Sequence, residues 1–384
     1  MEIVEQKNRH ISLSNPLLAL TFIWIVFQMA ACALNNVKSV NKLSFVSDQG
    51  GKPQIYVMND DGTNKIRLTK IGNPEQTVNR IGMFAHGWSP DGKYLAFASD
   101  MDAGVNRDIY RMDADGSNIK RLTFCEERNC FRYFPAWSPD GTKIAFSSIS
   151  TNGLIDMYIV NIDGSSEQRI TYNVSPIGGY LFPYWSPDGN RIAFVNYVSG
   201  DAGEIYVIHM DDANASHFFK DKSMQFPLEQ PLSWSPDGIN ILLTSHDYKN
   251  VYLLNTIDGT FQKVIGSVIS HTDEFENFRC PIWSPDGKHI IYYYSHSVWT
   301  TRVESGFYVI DKFGLNRNLI LNDEGEWYLK GCPTQTSDRQ RIAFSATSSK
   351  ARSQADIYVV NIDGTGFKRL TNSDSNEDNP RWRP

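Results

Sequence analysis

The chain has 384 residues, of which 41% are hydrophobic and 21% are charged, and its formal net charge is -6. This balance is typical of a globular protein with ample apolar residues for a core. The mild acidity gives no reason to expect nucleic-acid binding, and no low-complexity tract or long charge run appears.

Residues 1–40 have the pattern of an export signal. Basic residues Lys7 and Arg9 precede an uncharged apolar stretch from Pro16 to Leu34. Within it, Met29-Ala30-Ala31-Cys32 resembles a bacterial lipoprotein cleavage box, which predicts lipidation at Cys32. The same residues also fit an ordinary cleavage site, and the apolar stretch is long enough for an uncleaved membrane anchor. All three alternatives place the rest of the chain outside the cytoplasm, and two of them tether it to a membrane.

From residue 41 to residue 384 the sequence repeats. The phrase Trp-Ser-Pro-Asp-Gly occurs five times, at steps of 49, 48, 49 and 49 residues; it begins at Trp88, Trp137, Trp185, Trp234 and Trp283. Gln335 stands where a sixth copy is due, and Trp382 opens a seventh. A fixed period near 50 residues predicts an array of equivalent supersecondary units.

Each unit contains four short apolar runs. One precedes the Trp, one follows the Gly, a third has an apolar-Tyr-apolar pattern, and the last follows an Asp-Gly turn. Runs of this length, rich in β-branched and aromatic residues and separated by Pro-Asp-Gly or Asp-Gly, predict antiparallel strands joined by hairpins. The third run occurs seven times, with tyrosines at Tyr56, Tyr110, Tyr158, Tyr206, Tyr252, Tyr308 and Tyr358. The sequence therefore predicts an all-β, seven-bladed β-propeller of four-stranded antiparallel blades.

The first unit lacks its first strand. Leu43 to Ser47 opens it with a second strand, and the segment Asn379 to Trp382 at the other end of the chain has the sequence of a first strand. We expect these N- and C-terminal segments to pair and close the ring, because closure leaves no open sheet edge.

These repeats resemble the Trp-Ser-Pro-Asp-Gly propeller repeats of the TolB family and of prolyl-oligopeptidase-type propellers. The resemblance covers residues 41–384. It implies a non-catalytic periplasmic scaffold whose channel mouth takes a protein or peptide partner. The peptidase relatives carry their catalysis in an additional domain, and no Gly-x-Ser-x-Gly motif occurs here. We therefore expect no catalytic residue and no hydrolase activity.

Loop length distinguishes the two faces of the predicted propeller. Tight Pro-Asp-Gly and Asp-Gly turns lie on one face, and long, dissimilar connections lie on the other, such as 266–279, 296–306 and 322–330. Variable loops on a rigid scaffold are where binding residues concentrate. Aromatic residues and arginines are favoured at protein interfaces. The predicted partner-binding residues on the long-loop face are Arg132, Tyr133, Tyr180, Phe278, Arg279, Trp299, Arg302, Trp327 and Tyr328.

Two recurring residue types are interpreted as structural. The Trp of each motif is expected to pack between blades. A side chain that recurs at the same position of five blades suits a packing role common to all of them better than contact with a single ligand. The acid before several tyrosine runs is expected to accept a hydrogen bond that closes a loop. It occurs as Asp108, Asp156, Glu204 and Asp356.

Four cysteines remain when Cys32 is set aside. Cys280 and Cys332 occupy the same position in successive units, so they are expected side by side on adjacent inner strands. Cys125 and Cys130 lie in a single loop. Export favours two disulfides in this arrangement, and four free thiols are the alternative.

Two enzymatic alternatives compete with the scaffold, which is expected to hold no cofactor and no metal. Oligogalacturonate lyases resemble this repeat family and hold a divalent metal with histidines and a glutamine. The residues that suit such a site here are His86, His246, His271, His296, Gln230 and Gln335. A carbohydrate binder or hydrolase would instead use Trp299 and Trp327 as stacking platforms. It would need a pair of carboxylates drawn from Glu274, Glu276, Glu324 and Glu326.

Overall fold

The structure is a computed structural model. It describes residues 41–69, 86–101, 106–125, 130–151, 153–172, 182–199, 202–211, 215–217, 231–267, 274–299, 301–323, 326–338, 340–349 and 354–384. Every regular element in these ranges is a β-strand, and Lys42–Pro384 form one compact unit. The expected export signal and Cys32 lie outside the described residues. Within the described ranges, no helix has the length and apolar character needed to cross a membrane.

The strands form seven antiparallel sheets, which are the seven predicted blades. Blade 1 contains β29 (Glu377–Trp382), β1 (Lys42–Ser47), β2 (Gln54–Asn59) and β3 (Ile66–Arg67). Blade 2 contains β4 (His86–Trp88), β5 (Tyr94–Ser99), β6 (Asp108–Asp113) and β7 (Lys120–Arg121). Blade 3 contains β8 (Phe131–Trp137), β9 (Lys143–Ile149), β10 (Ile155–Asn161) and β11 (Gln168–Arg169). Blade 4 contains β12 (Tyr184–Trp185), β13 (Arg191–Ser199), β14 (Ala202–His209) and β15 (Ala215–His217).

Blade 5 contains β16 (Ser233–Trp234), β17 (Asn240–Thr244), β18 (Asn250–Asn255) and β19 (Phe261–Gly266). Blade 6 contains β20 (Glu274–Trp283), β21 (His289–Val298), β22 (Thr301–Asp311) and β23 (Asn318–Asn322). Blade 7 contains β24 (Trp327–Leu329), β25 (Thr334–Gln335), β26 (Arg341–Ser348), β27 (Ala355–Asn361) and β28 (Lys368–Arg369). Its first strand is split, because β24 and β25 both pair with β26, so this sheet has five strands instead of the predicted four.

Each Trp-Ser-Pro-Asp-Gly copy forms the turn between the first and second strands of a blade. In blade 2 the Ser89 hydroxyl donates to the Asp91 carboxylate at 2.7 Å and accepts from the Tyr94 amide at 2.9 Å. The same carboxylate accepts from the Lys93 amide at 3.1 Å. Ser and Asp thus satisfy the polar groups of the turn, and Gly92 takes the positive φ of 66° that completes it.

The motif tryptophans join neighbouring blades, as expected. The indole Nε1 of Trp137 donates to the backbone oxygen of Gly87 in the preceding blade at 2.9 Å. Trp185, Trp234 and Trp382 make the equivalent bond at 3.0–3.1 Å. The prediction that these side chains are inter-blade packing residues is therefore confirmed. Trp283 differs, because it is linked to blade 5 through its backbone amide, which donates to the Ser233 hydroxyl at 3.1 Å.

Aromatic pairs fill the centre of six of the seven blades. Phe97 on the second strand of blade 2 stacks on Tyr110 of the third strand, with ring centroids 5.6 Å apart. Blades 1, 3, 4 and 7 repeat this Phe–Tyr pair, and blade 6 has a Tyr–Tyr pair in its place. Phe97 and Tyr110 are completely buried. Burial of one such side chain stabilises the fold by roughly 1.5–3 kcal/mol, so the repeated pair accounts for much of the core.

The two ends of the described chain close the ring. β29 pairs antiparallel with β1, in a register that places Trp382 opposite Leu43 and Glu377 opposite Ser47. This confirms the predicted closure, with a strand that begins two residues earlier than expected. The described sheets of blade 1 and blade 7 meet at Trp382, whose indole donates to the backbone oxygen of Thr334.

Blade 6 departs from the sequence prediction. Its first three strands have 10, 10 and 11 residues, whereas the corresponding strands of blade 2 have 3, 6 and 6. Residues 274–279, 296–298 and 301–306, which lie in segments that were expected to be loops, are strand. Their alternating polar and apolar residues pair across β20, β21 and β22 and extend the blade on the long-loop face.

Candidate functional site

The tight-turn face is the face that carries the Trp-Ser-Pro-Asp-Gly and Asp-Gly hairpins. Its carboxylates are occupied by the turns themselves. Asp61, for example, accepts from both the amide and the hydroxyl of Thr63, at 2.8 and 2.6 Å. These hydrogen bonds lower the pKa of Asp61 below its usual range, and the same arrangement recurs at Asp115 and Asp163. The face therefore presents similar hairpins whose carboxylates are hydrogen-bonded within their own turns. Such hairpins offer little to distinguish one partner from another.

The long-loop face carries the extension of blade 6, which we call the blade 6 ribbon (residues 274–278, 294–299 and 301–305). Its tip exposes apolar side chains. Trp299 is 69% exposed, Val303 60% and Phe275 50%. Trp299 lies at the turn between β21 and β22 with a positive φ of 55°, and Val303 lies where the register shifts between those strands. These irregular positions turn large apolar side chains outward, away from the core.

An arginine and a tyrosine lie beside the ribbon. The guanidinium of Arg302 stacks over the ring of Tyr328 at 4.4 Å. It also donates to the backbone oxygen of Trp327 at 3.0 Å and to the Asp323 carboxylate at 3.2 Å. Because Asp323 is buried, this ion pair holds Arg302 in a fixed orientation between blades 6 and 7. Tyr328 remains 36% exposed beside it.

Three predicted partner-binding residues are instead buried. Trp327 is only 5% exposed and packs against Phe344 with ring centroids 5.1 Å apart, in the interface of blades 6 and 7. Phe278 packs against Tyr294 at 5.3 Å within blade 6. Arg132 pairs with Glu167 at 2.7 Å and with buried Asp108 at 3.4 Å. The expectation that these three side chains lie on an open surface is wrong, because core packing or buried ion pairs occupy each of them.

The remaining predicted contact residues are separated around the ring. Arg279 is exposed and stacks over Tyr248 of blade 5 at 4.9 Å. Tyr133, in blade 3, is half-buried under the guanidinium of Arg107 at 4.8 Å. Tyr180 lies outside the described residues. The structure thus places Arg302 and exposed Trp299 on the ribbon, with Tyr328 beside Arg302, and places Arg279 and Tyr133 against residues of blade 5 and blade 3. Sequence reasoning missed Phe275 and Val303, although both are apolar residues in segments predicted to be long loops.

The acids before the tyrosine runs hold the outer strands on the long-loop face. Asp108 accepts from the Thr123 hydroxyl at 2.9 Å and pairs with Arg121 at 2.6 Å. Asp156 and Asp356 make the same two contacts in blades 3 and 7. The interpretation of these acids as structural hydrogen-bond acceptors is therefore confirmed for these three blades.

Blade 6 also contains carboxylates bound to tyrosines. Tyr294 donates to Glu276 at 2.6 Å, and Tyr293 donates to Asp323 at 2.7 Å. Burial, together with these carboxylates, raises the pKa of both phenols. His296 lies 3.4 Å from Glu274 across the β20–β21 pair. No group of three His, Cys, Asp or Glu side chains suited to a metal ion occurs within the described ranges.

The first strands of blades 7, 1, 2, 3 and 4, and those of blades 5 and 6, lie against one another. In a propeller the first strands of the blades line the central channel. One layer of this channel consists of the residues that precede each Trp position. They are Arg381, Gly87, Ala136, Tyr184, Ser233, Ile282 and Thr334. Most of these are small, and Arg381 is the only charged member. Burial raises the pKa of Tyr184 to about 12, and the positive charge of Arg381 opposes that shift.

A second layer lies two residues nearer the long-loop face. Phe134 of blade 3 contacts Phe182 of blade 4, with ring centroids 4.0 Å apart. In blades 6 and 7 the disulfide Cys280–Cys332 occupies the same layer, with the Cα atoms 5.2 Å apart. A second disulfide joins Cys125 to Cys130. Both disulfides join the cysteines that the sequence analysis expected to lie together.

His86, the first residue of the proposed lyase set, is fixed in the inter-blade packing. Its Nε2 lies 3.1 Å from the Ser44 hydroxyl of blade 1. Burial, together with the nearby positive charge of Arg381, lowers the pKa of His86 to about 3, so the imidazole is neutral at pH 7. His271 and Gln230 lie outside the described residues. The described part of the set is thus spread over blade 2 (His86), blade 5 (His246), blade 6 (His296) and blade 7 (Gln335).

Comparison with known proteins identifies the family of this chain. The model of the TolB beta propeller domain matches residues 129–328, which is more than half of the chain. The chain belongs to the TolB beta-propeller family. A relative from Agrobacterium fabrum (strain C58), "Uncharacterized protein Atu1656", is 37% identical over 101 residues. That segment covers 26% of this chain and 30% of the relative, so the chain matches about a third of the relative's length.

Several solved structures show the same fold at low identity. TolB from Acinetobacter baumannii is 17% identical with a TM-score of 0.51, and the match covers 87% of this chain and 80% of that protein. Oligogalacturonate lyase from Vibrio parahaemolyticus is 15% identical with a TM-score of 0.57, covering 87% and 85%. A puromycin-hydrolyzing peptidase of Mycobacterium tuberculosis gives a TM-score of 0.63 at 13% identity, but the match spans 85% of this chain and 53% of the peptidase.

Proposed function

We propose that this chain is an exported, membrane-tethered propeller that binds a protein or peptide partner at its long-loop face without bond-making chemistry. The observation that carries the proposal is the blade 6 ribbon. It exposes Phe275, Trp299 and Val303 beyond the packed core of the blade. Exposed apolar side chains grouped on one element are a feature of interaction sites, since they cost solubility when nothing covers them.

The composition of the ribbon suits a protein partner. Aromatic residues and arginine provide most of the binding energy at protein interfaces, especially when a rigid scaffold holds them. Trp299 is an exposed aromatic anchor, and the ion pair with Asp323 already orients Arg302 beside Tyr328. Little side-chain entropy would then be lost at Arg302 when a partner binds.

Export and tethering are supported by the N-terminal sequence. The uncharged stretch from Pro16 to Leu34 and the cleavage box that ends at Cys32 favour secretion followed by lipidation. The two disulfides agree with a location outside the cytoplasm, because such bonds persist in oxidising compartments. Membership of the TolB beta-propeller family supports the same location.

One carboxylate of the ribbon, Glu276, and one beside it, Asp323, are hydrogen-bonded to buried tyrosines, which favours binding over catalysis. Glu276 accepts from the Tyr294 phenol and Asp323 from the Tyr293 phenol. A glycoside hydrolase needs two carboxylates that flank a substrate, and a lyase needs converging metal ligands. These enzymatic readings remain alternatives, and carbohydrate remains an alternative ligand for exposed Trp299.

Site-specific photo-crosslinking in intact cells tests the proposal. A photoreactive amino acid in place of Trp299 should capture a defined partner, whereas the same amino acid in place of Phe313 should not. Phe313 is a matched control, because it is an aromatic residue of similar exposure (67%) on the tight-turn face. With that partner purified, Trp299→Ala should weaken binding by roughly thirtyfold, which corresponds to about 2 kcal/mol.

The opposite outcome is an enzymatic one. Metal-dependent cleavage of polygalacturonate, lost on chelation and on His86→Ala, would replace the scaffold proposal with the lyase alternative. Equal crosslinking from positions 299 and 313 would argue against a partner site on the long-loop face.

A further inference from the structure

Blades 5 and 6 expose apolar side chains on the tight-turn face. Phe313 and Leu315 lie in the turn between β22 and β23, and Ile257 lies in the turn between β18 and β19; their side chains are 62–70% exposed. Ile239 follows the Pro-Asp-Gly turn of blade 5, and its backbone oxygen accepts from the amide of Thr256, beside Ile257, at 2.9 Å. We call Ile239, Ile257, Phe313 and Leu315 the blade 5–6 patch.

Both tight turns of blade 6 lie directly against blade 5. A Cβ added at Gly314, between Phe313 and Leu315, would stand 2.2 Å from the backbone oxygen of Val264 on β19. A Cβ added at Gly287, in the other turn, would stand 3.4 Å from the ring of Pro236. The patch is therefore carried by turns of two adjoining blades on the same face.

The repeat shows that folding does not require apolar residues at these positions. At the same turn, blades 1, 2, 3, 5 and 7 have Asp-Gly-Thr or Asp-Gly-Ser, and the carboxylate of Asp163, for example, accepts from the amide and hydroxyl of Ser165. Blade 6 has Phe313-Gly314-Leu315 instead. There Asp311 accepts from the amides of Phe313 and Leu315 at 3.0 and 2.8 Å. The turn keeps its hydrogen bonds, so a polar pair would serve it equally well.

Blade 5 departs from the repeat in the same direction. The residue after Pro-Asp-Gly is Ile239 in blade 5 but is polar in four other blades, where it is Lys93, Thr142, Asn190 or Lys288. The turn that exposes Ile257 is also one residue longer than that of blade 3, because the amide of Asn255 bonds to the oxygen of Thr260, five residues on. Turn positions that are polar elsewhere in the ring are thus apolar together on adjoining blades, which is a feature of interaction surfaces.

The described chain enters the propeller on this same face. Lys42 begins β1 and pairs with Asn59, the last residue of β2 before the Asp60-Asp61-Gly62 turn. Cys32 precedes Lys42 by ten residues, and a fully extended chain of that length spans at most about 36 Å. A lipid on Cys32, or an anchor that ends at Leu34, would therefore keep a membrane surface within reach of the tight-turn face.

We propose that the blade 5–6 patch lies in the headgroup region of the membrane to which the chain is tethered. This inference rests on the tethering part of the proposed function, and it adds the orientation of the propeller. Apolar side chains at a bilayer surface enter the boundary between headgroups and acyl chains, while neighbouring lysines keep their ammonium groups among the headgroups. Lys312 is placed for this role, since its Nζ lies 5.2 Å from the centre of the Phe313 ring.

A lipid surface suits this part of the protein better than a protein partner does. The carboxylates of Asp258 and Asp311 are hydrogen-bonded within their own turns, so they contribute little to the recognition of a specific partner. A bilayer needs no such recognition, because burial of apolar surface drives the contact. In this orientation the blade 6 ribbon, on the opposite face, points away from the membrane and stays accessible to a partner.

Photo-crosslinking to lipid tests the contact. The protein is isolated from membranes with a photoreactive amino acid in place of Leu315, and it is reconstituted into phosphatidylcholine vesicles that contain a radiolabelled phospholipid. Tyr172 is the matched control position, because it is also 62% exposed but lies beyond the outer strand β11, at the long-loop end of blade 3. We expect position 315 to capture severalfold more labelled lipid than position 172.

A double variant shows whether the patch itself makes the contact. Phe313→Asp/Leu315→Ser restores the Asp-Gly-Ser sequence that this turn has in blade 3, so the variant should unfold at the wild-type temperature. With the photoreactive amino acid at position 257, the double variant should capture severalfold less lipid than the unchanged protein. Phe124→Ser is the control, because it removes an equally exposed aromatic residue at the long-loop end of blade 2, and it should leave lipid capture unchanged.

Flotation of the same vesicles separates this inference from the proposed function. Protein that floats with the vesicles but captures lipid equally from positions 315 and 172 overturns the orientation and leaves the tether standing. Unchanged capture by the double variant overturns the patch in the same way. Protein that does not float overturns both the tether and this inference, whereas crosslinking from Trp299 tests the ribbon separately. Capture of a second copy of the chain, or of another protein, from position 315 in place of lipid would also overturn the proposal.

Discussion

The indole Nε1 of Trp382 donates a hydrogen bond to the backbone oxygen of Thr334 at 3.1 Å, and this contact joins the last blade to the first. Trp382 comes from the C-terminal strand β29, but it completes the blade whose other strands begin at Lys42. The ring is therefore closed by residues more than 300 positions apart in the sequence. Closure of this kind removes the open edges that would otherwise pair with other chains.

Removal of the closing strand should destabilise the whole propeller. Trp382→Ala leaves a cavity in the interface of blades 1 and 7, and we expect it to lower the free energy of unfolding by about 3–5 kcal/mol. Deletion of residues 377–384 should have a larger effect and promote association through the exposed edge of β1. Denaturant titration and light scattering measure the two results. Trp299→Ala is the control, and a deletion variant that melts within about a degree of the wild type would contradict the closure.

Much of the fold could be predicted because the repeats encode it locally. Ser89, Asp91 and Gly92 each satisfy a requirement of one tight turn, and the same residue types recur at the other four Trp-Ser-Pro-Asp-Gly turns. Trp137 and its equivalents have a fixed partner in the preceding blade, so their role also follows from the period. Residues that obey a repeat can be assigned from the repeat alone.

The candidate site was harder to predict because it depends on departures from the repeat. Trp327 lies in a segment that resembles an exposed loop, yet β24 pairs with β26 and turns this side chain against Phe344. Phe275 and Val303 lie in segments without a repeat counterpart, and only the longer pairing of β20, β21 and β22 shows that both are held outward. Whether a side chain at such a position is buried depends on which strands pair in the folded protein. The sequence pattern of the segment alone does not show this.

Reduction of the disulfides should affect stability unequally. Cys280 and Cys332 are 52 residues apart in sequence, whereas Cys125 and Cys130 are five apart. The chain-entropy model gives about 4 kcal/mol for the larger loop and about 2 kcal/mol for the smaller. We therefore expect Cys280→Ser/Cys332→Ser to lower the free energy of unfolding more than Cys125→Ser/Cys130→Ser.

Peptide mass mapping of the oxidised protein checks the pairing directly. It should link the peptides that contain Cys280 and Cys332. A link from Cys125 to either of these residues would show that the blades are aligned incorrectly.

Lipidation at Cys32 can be measured independently of any partner. Metabolic labelling with a radioactive fatty acid should mark the wild type and leave Cys32→Ser unlabelled, because the modification requires the thiol of that residue. Cys125→Ser is the control and should be labelled like the wild type. Unlabelled wild-type protein that retains its N-terminus would instead favour the uncleaved anchor.

Acid should weaken the tight turns through their aspartates. The Ser89 hydroxyl, together with the Lys93 amide, lowers the pKa of Asp91 from 3.8 to about 2. Hydroxyl donors also lower the pKa of Asp140 and Asp338 in the equivalent turns. A carboxyl whose folded-state pKa lies below its unfolded value stabilises the fold when ionised. Its contribution is complete above about pH 4 and disappears as the pH falls toward about 2.

The stability of the protein should accordingly fall between about pH 4 and pH 2. Ser89→Ala removes the main cause of the shift at Asp91, so the pKa of Asp91 should move back toward 3.8 and this variant should lose less stability over that range. Denaturant titrations at pH 7, 4 and 2.5, followed by circular dichroism, measure the difference. The two proteins should differ most at pH 7, where the ionised Asp91 still accepts from Ser89 in the wild type, and least at the lowest pH. Parallel curves for the wild type and Ser89→Ala across the whole range would contradict a stabilising role for this hydrogen bond.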